Sequence, residues 1–426
     1  MVASERTTRR FYGLRSGTLV TVASDLEYRD ERRKRREARR RQIRRRRLVA
    51  LAVLAGLAAA AVFGFVQLLS GSSAGAAIVL SPVRSAAPTS PFRSRLPEEI
   101  RGVHVTMSLL TLPGKLGEYI GLKSHGLNTL EIDVKDENGN VGFVEGAPAI
   151  ATKDGAARPY YEPRRVARAV HRAGLYLIGR VVSFEDPITS VARPELAIHR
   201  SDGSLWRTNG GLGWLNPYSR AAWKYDVDVA AAAARAGFDE IQFDYVRFPS
   251  DGDLSIIRYP GAHPQPMKRT IAAFLRYAVS RLHPLGVRVS ADVFGLSATH
   301  DLGIGQYPSR VAKVVDAIYP MTYPSHYRPG EYNLPNPDDA PGTTVTNSLR
   351  DFRGELSGGK ALLVPWLQDF SLGRTYSLAD VRAQIDAARL HETGGYMLWN
   401  AAGLYTADAL ASGPPPPLPV IAAPRL

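Results

Sequence analysis

Asp244 ends a short apolar run (Ile241, Phe243), and Tyr245, Arg247 and Phe248 follow closely behind it. A charged group in that position is costly to desolvate unless it is paired or used. Two readings compete: an Asp244–Arg247 pair that closes a loop, or a carboxylate presented for chemistry. Other short apolar runs end in comparable groups. His104 and Thr106 close one, Glu131 and Asp133 another, and Ser183, Glu185 and Asp186 a third. Asp292 ends a fourth, and the rest lead to Tyr323 and His326, to Trp366, Gln368 and Asp369, and to Trp399 and Asn400.

Two carboxyl groups flanking a glycosidic bond are the least that its hydrolysis requires, one as acid and one as nucleophile or base. The flat faces of Trp366, Trp399 and Tyr323 suit the C–H faces of sugar rings, and Arg, Gln and Asn can hydrogen-bond hydroxyls. The expected catalytic groups are therefore Asp244, Asp292 as its partner, and Asp133 as the alternative second carboxylate. The expected substrate-binding groups are His104, Tyr245, Arg247, Tyr323, Trp366, Gln368, Asp369, Trp399 and Asn400. Pairing with Arg247 would suit Asp244 to the part of nucleophile or charge stabiliser. The apolar neighbours Val293 and Phe294 would suit Asp292 to the part of general acid.

Other chemistries find no footing. The chain has no cysteine, which excludes thiol catalysis, iron–sulfur clusters and disulfides. There is no His-Glu-x-x-His and no Gly-x-Ser-x-Gly, so neither a zinc centre nor a serine nucleophile is expected. Asp136-Glu137-Asn138-Gly139-Asn140 reads as a tight turn rather than a calcium loop, because the twelfth position from Asp136 is Ala147. No cofactor is expected. Trp206, Trp214 and Trp223 read as packing groups.

The elements that must carry these groups alternate along the chain. Strands are expected at 102–105, 129–134, 176–182, 240–244, 288–293, 317–319, 361–365 and 395–398, short and apolar as parallel strands buried on both faces are. Helices are expected at 116–124, 162–173, 221–236, 267–283, 308–315, 344–356 and 377–391, several closed by glycine. Eight such units in about 312 residues predict an α/β fold, a (β/α)8 barrel whose chemistry sits at the strand C-termini. A doubly wound open sheet is the alternative, but Thr106-Met107-Ser108 stands where its glycine-rich loop would be.

The ends of the chain add a location. Residues 29–47 hold thirteen Lys/Arg against three acids, so most of the net charge of +14 belongs to this tail. It abuts residues 48–69, an uncharged run of the length that crosses a bilayer, about 30 Å. The expectation is a disordered cytoplasmic tail at 1–47 against anionic lipid head groups, a transmembrane helix at 48–69 and a flexible linker at 70–98. An extracytoplasmic barrel at 99–410 and a Pro-rich tail at 411–426 complete the layout. The juxtamembrane position of the basic run argues against nucleic acid as its partner.

Six motifs together carry a resemblance. They are Arg101-Gly102-Val103-His104-Val105-Thr106, Glu131-Ile132-Asp133-Val134-Lys135, Phe243-Asp244-Tyr245-Val246-Arg247-Phe248-Pro249, Pro320-Met321-Thr322-Tyr323-Pro324, Pro365-Trp366-Leu367-Gln368-Asp369-Phe370 and Gly395-Tyr396-Met397-Leu398-Trp399-Asn400. With them the chain resembles the glycoside-hydrolase-like barrel family of bacterial exported proteins, over about residues 99–405. The resemblance implies a TIM-type barrel related to polysaccharide-cleaving glycosidases. The Phe-Asp-Tyr-x-Arg-Phe-Pro signature is similar to that of barrels acting on bacterial exopolysaccharide. The expected activity is hydrolysis of cell-surface or matrix polysaccharide by a membrane-anchored enzyme. The alternative is a barrel that binds polysaccharide or peptidoglycan without cleaving it.

Overall fold

The computed structural model describes residues 92–411 apart from Pro264. The basic tail, the apolar run 48–69, most of the expected linker and nearly all of the Pro-rich tail lie outside the described residues, and the expected membrane span with them. Among the described residues, no helix is long and apolar enough to cross a membrane.

Eight parallel strands form the centre: β1 (Ile100–Val105), β2 (Thr129–Lys135), β3 (Tyr176–Val182), β4 (Glu240–Asp244), β5 (Arg288–Phe294), β6 (Ala317–Met321), β7 in two pieces (Leu362–Leu363 and Trp366–Gln368) and β8 (Gly395–Trp399). Each pairs with its neighbours, and β8 pairs with both β7 and β1, so the sheet closes on itself. All eight expected strands are present and the barrel expectation holds. Strand β7 departs from the expected unbroken run because Pro365 lacks the N–H that a central ladder needs. Its first piece pairs with β6 through Ala317 and Leu362, and its second through Met321 and Trp366.

Seven helices follow the expected segments: α1 (Lys115–Gly121), α2 (Pro163–Arg172), α3 (Arg220–Ala236), α4 (Met267–Leu282), α5 (Pro308–Val311), α6 (Pro341–Glu355) and α7 (Leu378–Leu390). Helix α3 starts on the Ser219 hydroxyl and ends at Gly237, whose φ of 112° only glycine adopts freely. Its alanine-rich face, Ala230 to Ala234, is buried, which lets the helix lie close to the strands. Helix α7 begins in a reciprocal Ser377–Asp380 capping box. Helix α5 is shorter than expected and stops at Val311.

The pleat sorts the strand residues. Ile132, Leu177, Ile241, Phe243, Val289 and Val293 point outward and join the helices in the main apolar core. The inward set is polar over much of its length, with Glu131, Arg180, Glu240, Gln242 and Asp292 all buried. A bulge after Asp133 interrupts this alternation: Asp133 pairs with Arg180, but Lys135 pairs with Val181. Lys135 is thereby turned away from Asp133 and out towards α3. Its Nζ lies 2.8 Å from Asp226, 2.9 Å from Asp186 and 2.9 Å from the Ser183 carbonyl, all fully buried. Two carboxylates thus share one ammonium, and burial pushes Asp226 up to about 7 despite Lys135.

At the opposite end of the barrel, residues 92–98 of the expected linker lie against the strand N-termini. The Arg93 amide donates to the Gly286 carbonyl at 2.9 Å, Ser94 donates to Asp239, and the Arg288 guanidinium stands 4.4 Å from the Phe92 ring centre. Asp316 also sits at this end, as expected, and accepts from the Val289 amide at 2.8 Å.

Removing Lys135 strands two buried carboxylates, so Lys135→Met is expected to cost about 3–5 kcal/mol in a denaturant titration. Adding Asp226→Asn to that variant should restore part of the loss. A Lys135→Met protein as stable as the wild type would refute the ion triad.

Candidate active site

At the strand C-termini a cavity of about 600 Å³ opens, a size typical of small-ligand sites. Arg180, Asp244, Tyr245, Arg247, Asp292 and Phe294 line one side, and Met321, Tyr323, His326, Arg328, Trp366 and Trp399 complete it.

The guanidinium of Arg180, on β3, organises the floor. Its Nε and Nη2 both donate to Asp244 Oδ2, at 3.0 and 2.7 Å, and Nη1 donates to Asp133 Oδ1 at 2.7 Å. The Asp244–Arg247 ion pair, one of the two competing readings, does not form; Arg180 takes that place. The reason is local. Tyr245 adopts φ +48°, a left-handed conformation costly for a side chain with a Cβ, while its amide donates to Asp244 Oδ1 at 2.6 Å. The kink carries Arg247 off the strand, where its guanidinium sits among the rings of Phe294, Tyr245 and Trp214 at 4.8, 4.9 and 5.0 Å.

Asp292, on β5, lies one residue beyond Ala291, which pairs with Phe243, the residue before Asp244. The two carboxylates therefore occupy the ends of adjacent strands. Asp292 Oδ1 accepts from Trp366 Nε1 at 2.7 Å and from Gln242 Nε2. Burial, reinforced by the charges of Asp244 and Glu131, pushes the Asp292 carboxyl well above the usual range. The shift favours the protonated carboxyl, the form a proton donor needs.

Behind this pair, His104 Nδ1 lies 2.6 Å from Glu131 Oε2, and Nε2 lies 3.6 Å from Asp133 Oδ1. Burial opposes the charge on His104, but Asp133 and Glu131 prevail and raise it to about 9. Burial pushes Asp133 up, yet His104 and Arg180 hold it down at about 2. Trp399 packs on the His104 ring at 4.5 Å between centres, so the imidazolium is covered from the cavity by an indole.

The cavity thus gathers Asp244, Asp292, Tyr245, Arg247, Tyr323, Trp366 and Trp399 from among the expected site residues. Asp133 and His104 form the layer beneath. Gln368, Asp369 and Asn400 are not on the cavity wall. Gln368 is fully buried against Gln384 and the Ser325 amide, Asp369 is bonded to Thr406, and Asn400 donates to the Asp369 carbonyl. Asp136 makes the expected turn, accepting from the amides of Asn138 and Asn140, while Glu137 approaches Arg180 at 3.5 Å. Trp206, Trp214 and Trp223 are buried in the core, as expected.

Arg180 was not among the expected site residues. The one signal available was a charge in the middle of the apolar run Tyr176-Leu177-Ile178-Gly179-Arg180-Val181-Val182, on the same parity as Tyr176 and Ile178. Glu185 is a further mouth carboxylate: it is 5% exposed, and burial raises it to about 7 against the pull of Arg247.

Residues 102–405 match the model of a family described as "Putative glycosyl hydrolase domain". None of the curated proteins matches the chain. Among solved structures, the glycoside hydrolase domain of PgaB (BpsB) from Bordetella bronchiseptica is similar at 15% identity and TM-score 0.52, over 72% of this chain and 95% of that one. That likeness shows a shared fold. A hypothetical protein from Ruminiclostridium thermocellum is 35% identical over 45% of this chain and 97% of its own, at TM-score 0.41.

The folded-state value of His104 lies above its unfolded value of about 6.5, so its stabilising part is complete below that pH and is lost as pH rises through about 9. His104→Gln should therefore destabilise by roughly 3 kcal/mol at pH 6 and by much less at pH 9.5. Denaturant midpoints measured across that range give the test; a pH-independent difference would remove the charge from His104.

Proposed function

Since this chain belongs to the "Putative glycosyl hydrolase domain" family, we propose that it is a glycoside hydrolase acting on cell-surface or matrix polysaccharide through the carboxyl pair Asp244 and Asp292. The observation that carries the reading is the contrast between those two groups on adjacent strand ends. One is salt-bridged to Arg180, and the other is buried, hydrogen-bonded by an indole and pushed by burial towards its protonated form. A carboxyl pushed towards its protonated form beside one held in a salt bridge is an arrangement that can assign acid and base.

In this mechanism Asp292 protonates the glycosidic oxygen as the bond to the anomeric carbon breaks. Asp244 supplies the negative charge, as nucleophile at that carbon or as base for the attacking water. Arg180 fixes Asp244 in place and is itself fixed by Asp133. Trp366, Trp399 and Tyr323 supply faces for sugar rings, and water completes the reaction, ending as a new reducing end. His104 and Glu131 act from beneath by holding Asp133 and the indole of Trp399.

The placement of the enzyme forms part of the proposal. Residues 48–69 anchor the chain in the cytoplasmic membrane, residues 29–47 lie against anionic head groups, and the barrel faces outward. Supporting this are the length of the uncharged run and the sign of its flank.

The full chain incubated with bacterial cell-wall and matrix glycans is expected to release new reducing ends. Asp292→Asn and Asp244→Asn should each lower kcat by about 10²–10⁴. Activity should fall on the alkaline side as Asp292 loses its proton, and that limb should vanish in Asp292→Asn. A variant pair that binds a glycan as the wild type does, with no cleavage by any of the three, would turn the assignment to a binding barrel.

A further inference from the structure

We propose that the active-site cavity selects an acidic polysaccharide, and that Arg247 is the residue that receives the sugar's carboxylate; this rests on the reading of the cavity as a glycoside hydrolase site. Arg247 is 6% exposed, lines the cavity, and makes a single hydrogen bond, from Nη1 to the Phe248 carbonyl at 3.1 Å. No carboxylate of the described residues lies within ion-pair distance of it. Glu185, Asp244 and Asp251 contribute to its field but do not contact it. Burial lowers its hold on the proton, the mark of a cation that has lost water without gaining a partner.

Three rings surround the guanidinium at 4.8–5.0 Å, so much of the conformational cost of presenting it has already been met in folding. Its unused N–H groups form the fork that matches a carboxylate with two parallel hydrogen bonds. A neutral hydroxyl could accept from it as well, but would not offset the lost hydration of a charge.

The rest of the wall agrees in sign. Of its acidic members, Asp244 is committed to Arg180 and Asp292 is pushed towards its protonated form by burial, whereas Arg328 lines the same cavity without an ion pair. An anionic substituent seated at Arg247 therefore meets a cation that no carboxylate contacts, although Glu185, Asp244 and Asp251 lie within its field. A uronic acid residue, whose carboxylate projects from the ring in a fixed direction, is the sugar class that fits.

The test compares binding of the methyl glycosides of glucuronate and galacturonate with their carboxyl-reduced counterparts, glucose and galactose, by calorimetry and ligand-observed NMR on the full chain. Wild type is expected to favour at least one acid form by about 10- to 100-fold, the range of a charge-assisted hydrogen-bonded pair. In Arg247→Gln the preference should fall to within about twofold. In Arg247→Lys, which keeps the charge but loses the fork, an intermediate preference is expected. Equal binding of acid and neutral forms by wild type, binding of neither, or an unchanged preference in Arg247→Gln would overturn the inference. Cleavage of a neutral glycan with no acid preference would overturn it and leave the hydrolase standing. Acid-selective binding with no cleavage of any glycan would do the reverse.

Discussion

A guanidinium enclosed in the barrel sets the conditions for the groups around it. Arg180 is 4% exposed and reaches from Asp133 on β2 to Asp244 on β4, across the strand that carries it. Either carboxylate alone in that interior would be too costly to leave charged, and so would Arg180 alone. Together they close a three-strand ion network, and His104 extends it to β1 through Glu131 and Asp133. Four consecutive strands are thereby joined by side chains as well as by their ladder. The barrel's middle layer is the site's foundation.

This polar interior differs from the branched apolar layers that usually fill a (β/α)8 barrel. Glu240 lower down accepts from Ser290 and Tyr176, and burial raises it towards the neutral form. The apolar core instead lies between the strands and the helices, where Phe243, Phe274 and Trp223 meet edge to face. Stability and chemistry are assigned to opposite faces of the same strands. The carboxyl groups can then be tuned by neighbours inside the barrel without disturbing the packing outside it.

Much of the fold could be read from the chain because its signals are local. Short apolar runs of β type, helices closed by glycine, and strict alternation of the two need no knowledge of distant residues. Pro365 interrupts β7 for an equally local reason. The candidate site was legible in part: Asp244, Asp292, Trp366 and Trp399 all follow from the rule that chemistry sits where parallel strands end. Gln368, Asp369 and Asn400 satisfy that rule too, yet their side chains turn to the Ser325 amide and Phe370 carbonyl, to Thr406, and to the Asp369 carbonyl. Position along a strand says which end a residue occupies, but not whether its side chain leans into the cavity or into the loops.

The sequence by itself determined the eight strands, the order of the helices, the absence of thiol chemistry and two of the carboxylates at the mouth, Asp244 and Asp292. Each depends on residue type and period along one segment. Tertiary structure alone decided the partners. Arg180 lies 64 residues from Asp244 and 47 from Asp133, whereas Arg247 is three residues from Asp244 and misses it. Closure of the barrel sets which side chains share its interior, and a single left-handed turn at Tyr245 removes the nearer arginine from the pair. In a low-dielectric interior a charge needs a close, hydrogen-bonded partner to offset its lost hydration, and which groups come that close is a property of the closed sheet, not of spacing along the chain.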